Sequence, residues 1–193
     1  SAVCVTGLVV VDTGSYWSIF GQAIIIMLIQ IGGLGVITFA ASLSMLSGRK
    51  ISLMQRSTMQ NAISAPEVGG IVRLTRFILF GTFIIETVGA LLMMPAFCKD
   101  FGLKGIWYSF FHSISAFCNA GFDVLGTENN KFASLTDYAA NPFVNITVML
   151  LITVGGIGFL TWDDICTKRF HIKRYRMQSK VVLVTSGLLV FIP

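Results

Sequence analysis

Two short stretches of this chain set the same residue types at the same spacing. "AVCVTGL" runs from Ala2 to Leu8 and "AFCNAGF" from Ala116 to Phe122, 114 residues further on, and both read A-x-C-x-x-G. Each stands beside long apolar runs. A turn that holds its carbonyls to one side needs a residue free of side-chain penalty, which is glycine. Carbonyl oxygens held that way can replace the hydration shell of an alkali cation. Gly7 and Gly121 are the residues that would permit it. Asp12 and Asp123 follow the two turns. Either carboxylate would raise the local cation concentration at a mouth; the plainer role for each is a solvated loop residue.

Other chemistries have less support. Cys4, Cys98, Cys118 and Cys166 form no CxxC pair and have no histidine at ligand spacing. They are expected as small buried apolar residues rather than as zinc ligands or a disulfide. A membrane enzyme would need a nucleophile and a base. His112 and Cys118 are the only nearby candidates, with no acid or second histidine beside them, so no enzymatic activity is expected.

Composition sets the surroundings of the turns. Of 193 residues, 54% are hydrophobic and 12% charged, about half the charge of an average soluble domain. That balance points to an all-α integral membrane protein. Ile19–Leu46 is 28 residues without a charge, and Phe77–Cys98 is interrupted only by Glu86. Pro142–Trp162 is a third apolar span and Val181 begins a fourth. Between the second and third lies "GIWYSFFHSISAF", Gly105–Phe117, only 13 residues long. At about 1.5 Å per residue it reaches roughly 20 Å, too short to cross. The chain starts at Ser1 and stops within an apolar run, so it is expected to be a piece of a longer protein.

Charge placement orients the spans. Five Lys/Arg lie between Arg49 and Arg76 and six between Lys168 and Lys180. By the positive-inside rule both clusters are cytoplasmic. A nucleic-acid partner is not expected, because each cluster abuts an apolar span. Lys99–Asn141 then begins and ends outside, so its short helix must dip into the membrane and return. Irregular backbone at that depth has to line a water-filled or protein-walled cavity. An interfacial helix with an outer loop is the alternative.

A second duplication accompanies the first. "IQIGGLGVITF", Ile29–Phe39, matches "ITVGGIGFLTW", Ile152–Trp162, at an offset of 123 residues against 114 for the turns, so nine extra residues fall around Thr127–Asp137. Gly32, Gly33, Gly35, Gly155, Gly156 and Gly158 would let helices pack closely in lipid or bend beside a path. Four segments follow: 1–46, the end of a first unit; 47–76, a basic connector; 77–166, a complete second unit; and 167–193, a second basic connector with the start of a third unit. Glu86 at mid-span is expensive and usually faces protein or water. It reads as a hydrogen-bonded structural residue, with an ion-path role as the alternative.

The two turns and the two GGxG spans resemble the Trk/Ktr/HKT superfamily of potassium transporters, in its KtrB-type (NtpJ- or TrkH-like) branch. The resemblance implies four outer helix–pore helix–inner helix repeats around one cation pore, as in a potassium channel. It implies filter segments at Val5, Thr6, Gly7 and Leu8 and at Asn119, Ala120, Gly121 and Phe122, with backbone carbonyls at and just before each glycine. In relatives a serine at the first filter glycine accompanies sodium preference, so Gly7 favours K+, with Na+ as a stimulating ion. A sodium or mixed-cation transporter, or a scaffold subunit, stays as the alternative. The resemblance also implies a homodimer in the bacterial cell membrane, with cytosolic nucleotide-binding regulatory subunits of the KtrA/TrkA kind on the basic face. The topology predicts that a cysteine placed beside Glu128 labels from outside an intact cell and one beside Lys173 does not. The reverse labelling pattern would overturn it.

Overall fold

The computed structural model describes residues 1–35, 71–128, 130–168, 171 and 174–191. Among them there are helices, turns and no strands: α1 (Thr13–Tyr16), α2 (Ile19–Leu34), α3 (Ile71–Phe101), α4 (Lys104–Phe117), α5 (Pro142–Ile157), α6 (Phe159–Lys168) and α7 (Met177–Phe191), with a 3₁₀ turn at Thr136–Tyr138. The chain divides into two compact units, Ser1–Val36 with Gly81–Gly155, and Ile37–Phe80 with Gly156–Pro193.

Arg73–Phe101 of α3, 29 residues, is the described helix long and apolar enough to cross a bilayer by itself; α5 and α6 taken as one broken span would make a second. In α3, Thr82, Glu86, Gly89, Ala90, Met93 and Phe97 are buried at helical spacing. Phe83, Ile84, Val88, Leu91 and Leu92 are exposed. A helix that hides a carboxylate and a threonine and shows phenylalanine and leucine is patterned for an apolar solvent.

Glycines end the helices of two expected spans. In the first, α2 ends at Leu34, capped by Gly35 at φ 82°, whose amide donates to the Gly32 carbonyl at 3.0 Å. Positions 36–46 lie outside the described residues, as does the basic connector up to residue 70. The third span is not one helix from Pro142 to Trp162, because Gly158 at φ +88° interrupts it. Hydropathy registers no charge at either place, but a left-handed residue cannot continue a right-handed helix. The short aromatic helix forms as expected, beginning one residue earlier at Lys104.

Within the first unit, Ile29, Phe111, Ala120, Phe122 and Val124 form a buried cluster. It joins α2 and α4 to the second glycine turn. Gln22 ties α2 further: its side-chain Nε2 donates to the Trp17 carbonyl at 3.1 Å and its Oε1 accepts from Trp107 Nε1 of α4 at 2.8 Å. Gly89 is where α3 meets α4. A Cβ there would lie 2.6 Å from Ser113 Oγ and 2.8 Å from Leu151 Cδ1.

The second unit is held by a carboxylate at a helix start. Asp164 of α6, 1% exposed, accepts from Ser179 Oγ at 2.6 Å, from the Arg176 amide at 3.0 Å and from Lys168 Nζ at 2.7 Å. Arg176 precedes α7, and Arg176 Nε lies 3.7 Å from the same carboxylate. The anion therefore caps the positive end of α7. Replacing it takes the acceptor from an ammonium, a hydroxyl and an amide, while the Arg176 guanidinium keeps Asp163 at 3.3 Å. Asp164→Ala is expected to destabilise the protein by about 3 kcal/mol. Thermal unfolding in detergent checks this, and an unchanged Tm would mean that the cluster contributes no net stability.

Candidate cation site at paired glycine turns

The two A-x-C-x-x-G stretches have matching local geometry. In the first, the Val5 amide donates to Ala2 O at 3.2 Å and the Thr6 amide to Ser1 O at 3.3 Å. In the second, the Asn119 amide donates to Ala116 O at 3.1 Å and the Ala120 amide to Ser115 O at 2.8 Å. Val5 and Asn119 have φ of 50° and 55°, and Gly7 and Gly121 have 70° and 68°. Non-glycine residues at positive φ are uncommon, and a β-branched one such as Val5 is an outlier. Both turns thus leave the helical path at the residue after the cysteine and reverse again at the glycine.

The turns lie against each other. A Cβ at Gly7 would come 2.7 Å from the Ala120 carbonyl oxygen, and one at Gly121 would lie 3.7 Å from Gly7 Cα. Both positions have a left-handed conformation that favours glycine, and a side chain at Gly7 would also crowd the Ala120 carbonyl. Thr6, Asn119 and Gly121 are exposed, while Ala120 and Phe122 are buried. Ser115 of α4 donates to the Phe122 carbonyl at 2.7 Å, so that oxygen is turned toward the short helix. Leu8 is 77% exposed.

The GGxG glycines back the turns. A side chain at Gly32 would run into the Val3 carbonyl, and one at Gly155 into the Phe117 carbonyl. Val3 and Phe117 each directly precede the motif cysteine. A side chain at Gly33 would run into Cys118 Sγ. Gly35 and Gly158 then break their helices, while Gly156 is an exposed residue of α5. Packing and bending, set against each other in the sequence, are both present in one motif.

Asp12 and Asp123 are engaged rather than free. Asp12, 4% exposed, caps α1 by accepting from the Ser15 amide at 2.7 Å and hydroxyl at 2.6 Å, and reaches the Phe132 amide at 2.9 Å. Burial alone would raise its pKa, but the Ser15, Phe132 and Gly14 donors outweigh it and hold the carboxyl below its ordinary value. Asp123 accepts from the Leu125 and Ser134 amides, each at 2.9 Å. Both carboxylates order the loops beyond the turns.

Behind the second turn is a cavity of about 290 Å³ lined in part by His112, Asn119, Gly121, Asp123 and Ser134. His112 is buried, with Nδ1 2.7 Å from the Tyr108 carbonyl. Its neighbours are the rings of Phe97 and Phe111. Cys118 Sγ points to Gln30 Oε1 at 3.9 Å. No cluster of three or more metal-ligating side chains occurs among the described residues. All four cysteines are free thiols; Cys4 and Cys166 are exposed, which corrects the expectation of burial for them.

Sequence reasoning missed Gln30. Its Nε2 donates to both oxygens of Glu86, at 3.0 and 3.2 Å. The available signal was its place in an otherwise apolar run, eight residues after Gln22 and therefore close to the same helix face. Glu86 has the hydrogen-bonded role expected of it.

Residues 1–191 match the family model TrkH, described as a cation transport protein. The potassium/sodium uptake protein NtpJ of Enterococcus hirae is 39% identical over 191 residues, covering 98% of this chain and 41% of that protein. The Ktr system potassium uptake protein B of Bacillus subtilis is 39% identical over 190 residues, with 98% and 41% covered. The protein of that name from Vibrio alginolyticus is 32% identical over 196 residues, with 100% and 41% covered. The chain thus spans about two fifths of the length of these relatives. With that match running along nearly its whole length, the chain belongs to the TrkH family of cation transport proteins, which are membrane proteins.

Proposed function

We propose that this chain forms part of a potassium uptake pore in the bacterial cell membrane and that the two glycine turns are two walls of its selectivity filter. One observation carries the reading: two turns 114 residues apart in the sequence share their hydrogen bonds and left-handed positions and meet backbone to backbone. Backbone oxygens near Gly7 and Gly121 would take the place of water around the cation. Their ligand is K+, with Na+ as a stimulating or competing ion, in line with the potassium and sodium named for the Enterococcus hirae relative.

On this reading α4 is a re-entrant pore helix whose C-terminal, partly negative end points at the ion. Then α2 and α5 are the inner helices of two successive repeats in a channel-like, four-repeat pore, and α3 is an outer helix. The full-length protein would pair as a homodimer and bear cytosolic nucleotide-binding subunits; the Ktr system names of the relatives suit a membrane component of a larger system. The basic segments would meet those subunits or anionic lipid.

The test is growth of a potassium-uptake-deficient bacterium carrying the full-length parent gene at low external K+, with and without Na+ and with its accessory subunit supplied. The parent is expected to rescue growth. Gly121→Asp is expected to abolish rescue while leaving membrane insertion intact, and Gly7→Ser to weaken discrimination against Na+. Normal uptake by the Gly121→Asp variant would rule out the second turn as a filter wall.

A further inference from the structure

We infer that Glu86 and Gln30 are positioning residues for the second glycine turn: a buried carboxylate–amide–thiol chain sets that turn's place and with it the ion preference. The inference rests on reading the turns as a filter.

Glu86 is 5% exposed on the buried stripe of α3. A lone carboxylate at that depth is costly. Its oxygens are met by the Gln30 amide nitrogen at 3.0 and 3.2 Å, which orients the amide. The NH2 faces the carboxylate, so the Gln30 carbonyl oxygen faces away from it, toward Cys118 Sγ at 3.9 Å. A flipped amide would set oxygen against oxygen. Cys118 directly precedes Asn119, where the turn reverses its hand.

Two further contacts give the chain its leverage. The Cys118 side chain sits in the notch left by Gly33, one turn of α2 beyond Gln30. Ser113 Oγ of α4 donates to the backbone carbonyl of Glu86 at 2.6 Å, which fixes α3 against the helix that enters the turn. Residue 86 therefore holds the turn on one side through its own backbone carbonyl and the Ser113 hydroxyl of α4, and on the other through its carboxyl group and Gln30. The sulfur contact is weak alone; the two amide–carboxyl contacts behind it fix the acceptor. A side chain that only filled space would have no reason to be an acid facing an amide.

The experiment uses the full-length protein with its accessory subunit in uptake-deficient cells. It reads KM and maximal rate for K+ per inserted protein, and the K+ over Na+ preference. Gln30→Leu strands the carboxylate and frees the thiol. It is expected to raise KM for K+ about tenfold, the factor matching loss of one hydrogen bond of ordinary net strength, and to lower the K+ preference. The double exchange Glu86→Gln with Gln30→Glu restores an amide–carboxylate pair and still offers Cys118 an acceptor, so it should recover most of the lost affinity. A Gln30→Leu variant with fewer molecules inserted but unchanged KM and preference would overturn the inference, as would an exchange no better than Gln30→Leu. If Gln30→Leu does not reach the membrane, Cys118→Ala against Cys118→Ser decides. Alanine removes the donor and should raise KM, serine keeps one and should not, and equal KM values overturn the inference. Gly7→Ser separates the two claims. If it shifts the preference and Gln30→Leu does not, the positioning role fails and the filter stands. If Gly7→Ser shifts nothing, the filter reading fails and this inference with it.

Discussion

A polypeptide that leaves the helix inside a bilayer must find new partners for its amides and carbonyls, because no lipid group supplies them. On the proposed reading the two glycine turns fall under that constraint. Each turn bonds its first two irregular amides back onto the preceding residues. Each places a glycine where the chain reverses hand. A helix glycine lies against the carbonyl before each motif cysteine, so a neighbouring backbone comes as close as side-chain-free atoms allow. On the filter reading, the remaining carbonyls are the ones offered to a cation.

The polar residues of the apolar helices serve the same end. Gln22 joins α2 to Trp107 of α4, and Gln30 joins it to Glu86 of α3. Neither residue is charged, and both are amides whose two ends can be satisfied in opposite directions. An amide can bridge two apolar helices without a net charge, which is why α2 can brace α4 and α3 together.

Much of the site was legible in the sequence because glycine is informative when backbone conformation requires it. The spacing of Gly7 and Gly121 marked both turns, and a 13-residue aromatic run marked a helix too short to cross. The ends of α2 and α5 were legible only as one of two readings of the GGxG glycines, packing or bending. Gly35 and Gly158 sit in uninterrupted apolar runs, and a hydropathy window responds to transfer energy, not to the sign of φ. Gln30 was missed because attention to charge passes over amides. The engagement of Asp12 joins residues 120 apart in sequence, and nothing local to Asp12 announces Phe132 as a partner.

That last contact constrains how the loop after the second turn can change. The segment after the second turn carries the nine extra residues, yet it is pinned at Leu125 and Ser134 by Asp123 and at Phe132 by Asp12. Thr127 and Asn130 close their own small turn, each amide meeting the other's carbonyl at 3.0 and 3.2 Å. Length can therefore vary at that tip with the least disturbance to the pins. An epitope or fluorophore inserted beside Glu128 would project from the surface while the carboxylate anchors keep their partners, which makes this tip the natural handle for following the protein in a living cell.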